Sequence, residues 1–456
     1  MSIAAKRDIY FSFFMFTADL KPEDARLEPE KATYMKVLIK HLSALKDMGY
    51  DGFDLHIAPR PASIDPRHDA ETFKREVESY ALLKKAFVDA DPDLKKAKFA
   101  TNVGTTRFFD PTSPYKEQRD RALLYLKSRV EITSVLAGES KESIMSGPFI
   151  YPYGVFPLTD LDVPMWSDAL LDWMKSRYEV AQPIIEELAE FAHTKRVKLA
   201  IEPVKSWETP SPNMVSEVLD FLDDVDKAAC GVTIDTAQVL MESQGPKIFK
   251  ENVERAVREN RLNYVHISAP DRGSVHDSWI PWDIMLREIQ RLYSGPYLIE
   301  VFNAIPPFDS SMRMARRRFW RPGEDREGPE SLNAYHIADA ALKELKAQQA
   351  RISMRELYDA AVQERDSPVV PGESTRFRCA LNDLEIVADD QSFSSAALGE
   401  IRRTVAMVQA MHIPSLAGGS PEQRDHHAGL RKRLPELVAE RLDAFERITG
   451  TNRGAS

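Results

Sequence analysis

Four short apolar strings between positions 198 and 302 each carry, near their C-terminal end, a side chain able to hold a cation. KLAIEP (198–203) carries Glu202, GVTIDT (231–236) Asp235, NYVHIS (263–268) His266 and YLIEVF (297–302) Glu300. Successive members are 33, 31 and 34 residues apart, close to the roughly 30 residues that a parallel strand and its crossover helix need. If those strands are parallel and adjacent, all four side chains leave the same end of one sheet. Three carboxylates and an imidazole converging there make a donor set for one divalent cation. A lone acid at a strand end is ordinarily a helix cap or surface group, and a lone histidine a satisfied core residue. The common period is what sets these four apart.

The elements that would position them alternate along the chain. Strands are expected at 9–15, 52–57, 98–103 and 146–152, ahead of the four just named, and amphipathic helices at 32–48, 73–88, 115–136 and 167–195. Eight strands alternating with helices predict an α/β fold, a (β/α)8 barrel, whose chemistry sits at the C-terminal strand ends. The glycine-rich first turn of a doubly wound sheet is absent from the sequence. His56, at the end of the second strand, is a candidate to line the same site. Beyond Asn303, the arginine-rich stretch 310–330 reads as a solvated or subunit-contacting surface, 335–363 as helix and SPVVPGEST (367–375) as a linker. Two further helices fit 396–411 and 423–448. We divide the chain into a barrel, 1–345, and a helical C-terminal extension, 346–456.

Composition narrows the classes. The 456 residues are 43% hydrophobic and 29% charged, ordinary for a soluble globular protein. The net charge of −10 argues against a nucleic-acid partner. The apolar run IYFSFFMF (9–16) is too short to span a bilayer, so no membrane partner is expected. Two cysteines, Cys230 and Cys379, give no disulfide framework and fit a reducing, cytoplasmic setting.

The pieces SGPFIYPYGVFP, LAIEPVKSWET, TIDTAQ, VHISAPDRG and LIEVF, spread over Ser146 to Phe302, resemble the xylose-isomerase-like barrels grouped as sugar phosphate isomerases/epimerases. The resemblance is closest to their ketose 3-epimerase branch, typified by tagatose and psicose 3-epimerases. It implies Glu202, Asp235, His266 and Glu300 as ligands of one divalent ion, Mn2+ ahead of Mg2+ or Co2+, with Glu202 and Glu300 as the catalytic pair. It also implies substrate contacts from Glu208 and Arg272, a small sugar as substrate, and a homo-oligomer. The chain departs from the pattern at Gln238, where the family usually has histidine, and at Trp279 and Pro281, where it commonly has histidine and aspartate. His276 and Asp277 are new polar groups in that loop, so Gln238 and His276 join His56 and Trp207 as candidate substrate contacts.

Inverting a carbon beside a carbonyl needs a base on one face, an acid on the other, and stabilisation of the enediolate oxygen, which a cation on adjacent sugar oxygens supplies. This leads to a metal-dependent sugar epimerase or isomerase. The altered loop keeps open a lyase or dehydratase acting on an oxidised sugar, 3-oxo-glycoside or cyclitol. Two weaker alternatives are an endonuclease IV-like repair enzyme, which needs more histidines, and a sugar-binding subunit without turnover.

Overall fold

The computed structural model describes residues 7–13, 32–57, 70–105, 108–138, 143–152, 168–206, 209, 211–225, 228–242, 244–270, 272–273, 275–276, 278–301, 330–365, 375–411 and 420–451. Two compact units organise the chain: Asp8–Ile280 with Gly295–Asp339, and Met1–Arg7 with Pro281–Ser294 and Ala340–Ser456.

The first unit is a closed parallel barrel of eight strands: β1 (Ile9–Ser12), β2 (Gly52–His56), β3 (Lys98–Asn102), β4 (Ser143–Gly147), β5 (Val197–Ile201), β6 (Cys230–Asp235), β7 (Leu262–Ile267) and β8 (Tyr297–Ile299). Each strand pairs with its sequence neighbour, and β8 closes on β1 through the Tyr10–Leu298 register. The crossovers hold α1 (Ala32–Met48), α2 (Ala70–Ala90), α3 (Lys116–Ala137), α4 (Asp168–Thr194), α5 (Val215–Phe221), α6 (Thr236–Met241) and α7 (Pro246–Arg258). Inside the barrel, Tyr10 and Tyr264 cluster with Ala100, Ala200, Ile144 and Leu298, so large and small side chains share one apolar layer.

The fourth strand lies earlier than expected, at 143–147 instead of 146–152. Gly147 takes φ +144°, and Pro148, which has no N–H to give to a ladder, follows it. A Cβ on Gly147 would stand 1.9 Å from the Val103 carbonyl oxygen, so only glycine fits there. The stretches 310–329 and 367–374, assigned above to a charged surface and a linker, lie outside the described residues.

The second unit contains α8 (Trp282–Leu292), the greater part of α9 (Glu330–Glu364), α10 (Thr375–Val387), α11 (Ser395–Met411) and α12 (Pro421–Thr449). Met354, Leu357, Phe377, Ile401, Val438 and Phe445 belong to one apolar core. Arg287 of α8 and Arg376 of α10 both bridge Glu356 and Asp359 of α9. The α8 segment separates β7 from β8 in sequence yet clusters with these C-terminal helices. Among the described residues no helix is long and apolar enough to cross a membrane.

Candidate metal centre

The ends of β5, β6, β7 and β8 bring Glu202, Asp235, His266 and Glu300 together. One ligand atom from each lies within 4.8 Å of all the others, and all four residues are buried. His266 Nδ1 is 4.0 Å from Glu202 Oε1, 3.9 Å from Asp235 Oδ2 and 3.7 Å from Glu300 Oε2. Atoms that share one ion at about 2.1–2.4 Å are spaced at roughly 3–4.8 Å, a range that covers these.

Local backbone geometry aims each group. Glu202 donates its N–H to Gly147 O at 3.0 Å, and Glu300 donates to Ile267 O at 3.0 Å, so both glutamates are tied to the neighbouring strand end. Asp235 is the N-cap of α6: its Oδ1 accepts from Ala237 N at 2.6 Å, Gln238 N at 3.1 Å and Ser268 Oγ at 2.5 Å. With Oδ1 filled, only Oδ2 is left for the cluster. The His266 ring places Nε2 3.5 Å from Ser146 Oγ, itself 2.9 Å from Thr233 Oγ1. Its Nδ1 is buried without a hydrogen-bond partner among the described residues.

Arg272 enters from the loop after β7. Its Nη1 donates to Asp235 Oδ2 at 2.6 Å and to Glu300 Oε2 at 3.0 Å. The backbone there is left-handed, φ +58°, which costs an ordinary residue about 1–2 kcal/mol. Strain of that kind collects where a side chain must reach a fixed place.

Burial pushes the Glu202 carboxyl up to about 8, opposed by the His266 charge and reinforced by Glu300 and Asp235. For His266, burial favours the neutral ring, but Glu300, Glu202 and Asp235 outweigh it and raise the imidazole to about 9. Burial also acts upward on Asp235, yet Arg272 and His266 hold it below the usual carboxylate range. The donor set fits a divalent ion on charge as well as spacing. Three carboxylates carry −3, which one divalent cation and the Arg272 guanidinium balance when His266 is neutral.

The other candidates that the structure describes make contacts of their own. Gln238 is buried, and its Oε1 accepts from Lys205 N at 3.1 Å, pinning the chain that leaves β5 just beyond Glu202. The His276 ring stands edge-on to His336 with centroids 6.3 Å apart. His56 ends β2, and burial lowers its imidazole to about 4. Trp207 and Glu208 fall outside the described residues. Trp279 is 88% exposed. Sequence reasoning assigned nothing to Asp54 or Tyr264. Asp54 is fully buried, accepts from the Tyr264 hydroxyl at 3.3 Å, and has its carboxyl raised to about 7, chiefly by burial. No local signal marks that pair, since its members are 210 positions apart.

The curated proteins that match are 3-epimerases of small ketoses. One is L-ribulose 3-epimerase of Methylomonas sp. (strain DH-1), 27% identical over 147 residues, 32% of this chain and 50% of that protein. The chain spans about half the length of the curated relatives it matches. A solved structure from Anabaena variabilis ATCC 29413, provisionally described as a sugar phosphate isomerase/epimerase, is 45% identical with a TM-score of 0.64, covering 76% of this chain and 100% of that one. D-allulose 3-epimerase from Methylomonas sp., solved with D-allulose, shares the fold at 20% identity and a TM-score of 0.53, over 76% of this chain and 98% of its own. Residues 42–318, more than half of the chain, match the family described as xylose isomerase-like TIM barrel, and the chain belongs to that family.

Proposed function

We propose that this chain is a divalent-metal-dependent epimerase or isomerase of a small sugar, a ketose above all, with Glu202, Asp235, His266 and Glu300 as the ligands of its ion. The observation that carries this reading is the meeting of four buried ligand atoms within 4.8 Å. A divalent cation, when bound, supplies Lewis-acid stabilisation of the negative charge that develops on the substrate oxygen. Mn2+ is our first choice, with Mg2+ and Co2+ compatible with the same oxygen-rich donors.

Glu202 and Glu300 leave β5 and β8, with β6 and β7 between them. From those positions one carboxylate takes the proton from the carbon beside the carbonyl, and the other returns a proton to the opposite face. Arg272 holds Glu300 Oε2 and Asp235 Oδ2 in place and gives the site a fixed positive charge. Gln238 steadies the chain beyond Glu202 through Lys205 N. Trp207, Glu208, His56 and His276 are our candidates for substrate contact, and a homo-oligomer is the assembly we expect.

The test is turnover in D2O of ketohexoses by the Mn2+-loaded protein. Conversion to an epimer that carries one solvent deuteron at the inverted carbon is the expected result, lost in Glu202→Gln. Release of fragments from 3-oxo-glycosides, without epimerisation, would replace this reading by a lyase. Metal binding without any conversion would leave a sugar-binding protein.

A further inference from the structure

The barrel interior holds one more carboxylate, which the proposed reaction does not use. Asp54 sits in register with Ser12 of β1 and Ala100 of β3, with no surface exposed. Its Oδ2 accepts from the Tyr264 hydroxyl at 3.3 Å, while its Oδ1 is buried without a hydrogen-bond partner among the described residues. A buried carboxylate oxygen without a partner is costly, and an apolar side chain of the same shape would avoid that cost. The other oxygen therefore has a task that an apolar residue cannot perform.

Tyr264 shows the task. It precedes His266 by two residues on β7, so both rings face the barrel interior. The rings meet edge-on, with centroids 4.9 Å apart and planes at 86°. Rotation of an imidazole about its outer torsion is soft and roughly two-fold. The Ser146 contact at Nε2 is 3.5 Å long, at the limit of a hydrogen bond, and cannot fix that torsion alone. The tyrosine ring stands against the imidazole, and its hydroxyl is held by Asp54.

We propose that Asp54 is a positioning residue of the metal centre: by anchoring the Tyr264 hydroxyl it fixes the ring against which His266 is set, and so the direction in which His266 Nδ1 faces Glu202, Asp235 and Glu300. This inference rests on the divalent-cation reading above. The role needs an acceptor for the hydroxyl and no negative charge. Because nothing among the described residues donates to Oδ1, an asparagine keeps the bond to Tyr264 and only exchanges one unpartnered atom for another.

The experiment compares the full chain with Asp54→Asn, Asp54→Ala, Tyr264→Phe and the Asp54→Ala/Tyr264→Phe double variant. Co2+ is titrated into each, the visible spectrum of the bound ion is recorded, and thermal unfolding in chelator checks the fold. Asp54→Asn is expected to keep the wild-type spectrum and an affinity within about threefold. Asp54→Ala and Tyr264→Phe are expected to bind about 10–100-fold more weakly with shifted bands, and the double variant no more weakly than either. Wild-type affinity and spectrum in Tyr264→Phe would overturn the inference, and that variant decides the matter if Asp54→Ala does not fold. Equal losses in Asp54→Asn and Asp54→Ala would overturn it too, by showing that the charge acts. A wild-type protein that binds no Co2+ would remove the cation reading and this inference with it, an outcome distinct from a wild type that binds beside indifferent variants.

Discussion

Glu76 of α2 and Arg129 of α3 form an ion pair closed off from water, and Asp110 pairs with Arg177 of α4 at 2.6 Å with both side chains buried. Glu202, Asp235 and Glu300, in the same barrel, share one guanidinium among the described residues, that of Arg272. In these pairs acid meets base within the fold. The strand-end cluster is balanced only if it takes up protons or a cation. Buried charge of the first kind holds helices together; buried charge of the second kind is kept for something the chain itself does not supply.

The largest effect that sharpens this contrast is expected from Glu202→Gln. Losing the base should lower kcat about 10²–10⁴-fold, as steady-state kinetics would show. Stability should move the other way. With its carboxyl raised to about 8 against an ordinary 4.5, Glu202 stays protonated in the fold after it has ionised in the unfolded chain. Metal-free stability therefore falls as pH rises between those values. Glutamine removes that loss, so thermal unfolding in chelator at pH 7–8 should show the variant at least as stable as wild type.

Arg129→Met is the converse. It takes a buried guanidinium away from Glu76 and should cost about 3–5 kcal/mol in denaturant unfolding with metal affinity unchanged. Loss of metal binding in that variant, without loss of stability, would break the distinction between the two kinds of charge.

Proton release is the next test. Without metal, Glu202 near 8 and His266 near 9 both hold protons at pH 7. Ligation by carboxylate and neutral imidazole must expel about two. Affinity should accordingly rise with pH, by up to about a hundredfold per unit below pH 7, and level off above pH 9. Calorimetry in buffers of different ionisation enthalpy gives the proton count directly, and a count near zero would contradict the charge balance. The smallest effect belongs to Gln238→Ala, which strips the Lys205 N–H of its acceptor and should cost about 1–3 kcal/mol of stability.

Why the cluster was legible from sequence and its surroundings were not follows from the range of each interaction. The barrel could be read because each strand is a short apolar string and each crossover repeats the period, both of them local signals. The convergence of Glu202, Asp235, His266 and Glu300 then follows from parallel neighbours alone. SGPFIYP is apolar enough to pass as a strand, while the close approach of Gly147 to Val103 joins residues distant in sequence. The tie between Asp54 and Tyr264 joins β2 to β7 across the interior. The clustering of α8 with the C-terminal helices depends on contacts such as Arg287 with Glu356, which are nonlocal. The place of Gln238 in its motif points to substrate, and nothing in that motif announces the bond its amide oxygen accepts from Lys205 N.

The central claim is one cation among four named side chains. Anomalous diffraction from crystals grown with Mn2+ tests it most directly. The account predicts one strong peak, within about 2.0–2.3 Å of a carboxylate oxygen of each of Glu202, Asp235 and Glu300 and of His266 Nδ1. A map with no peak there, or with its peak on other residues, would contradict it.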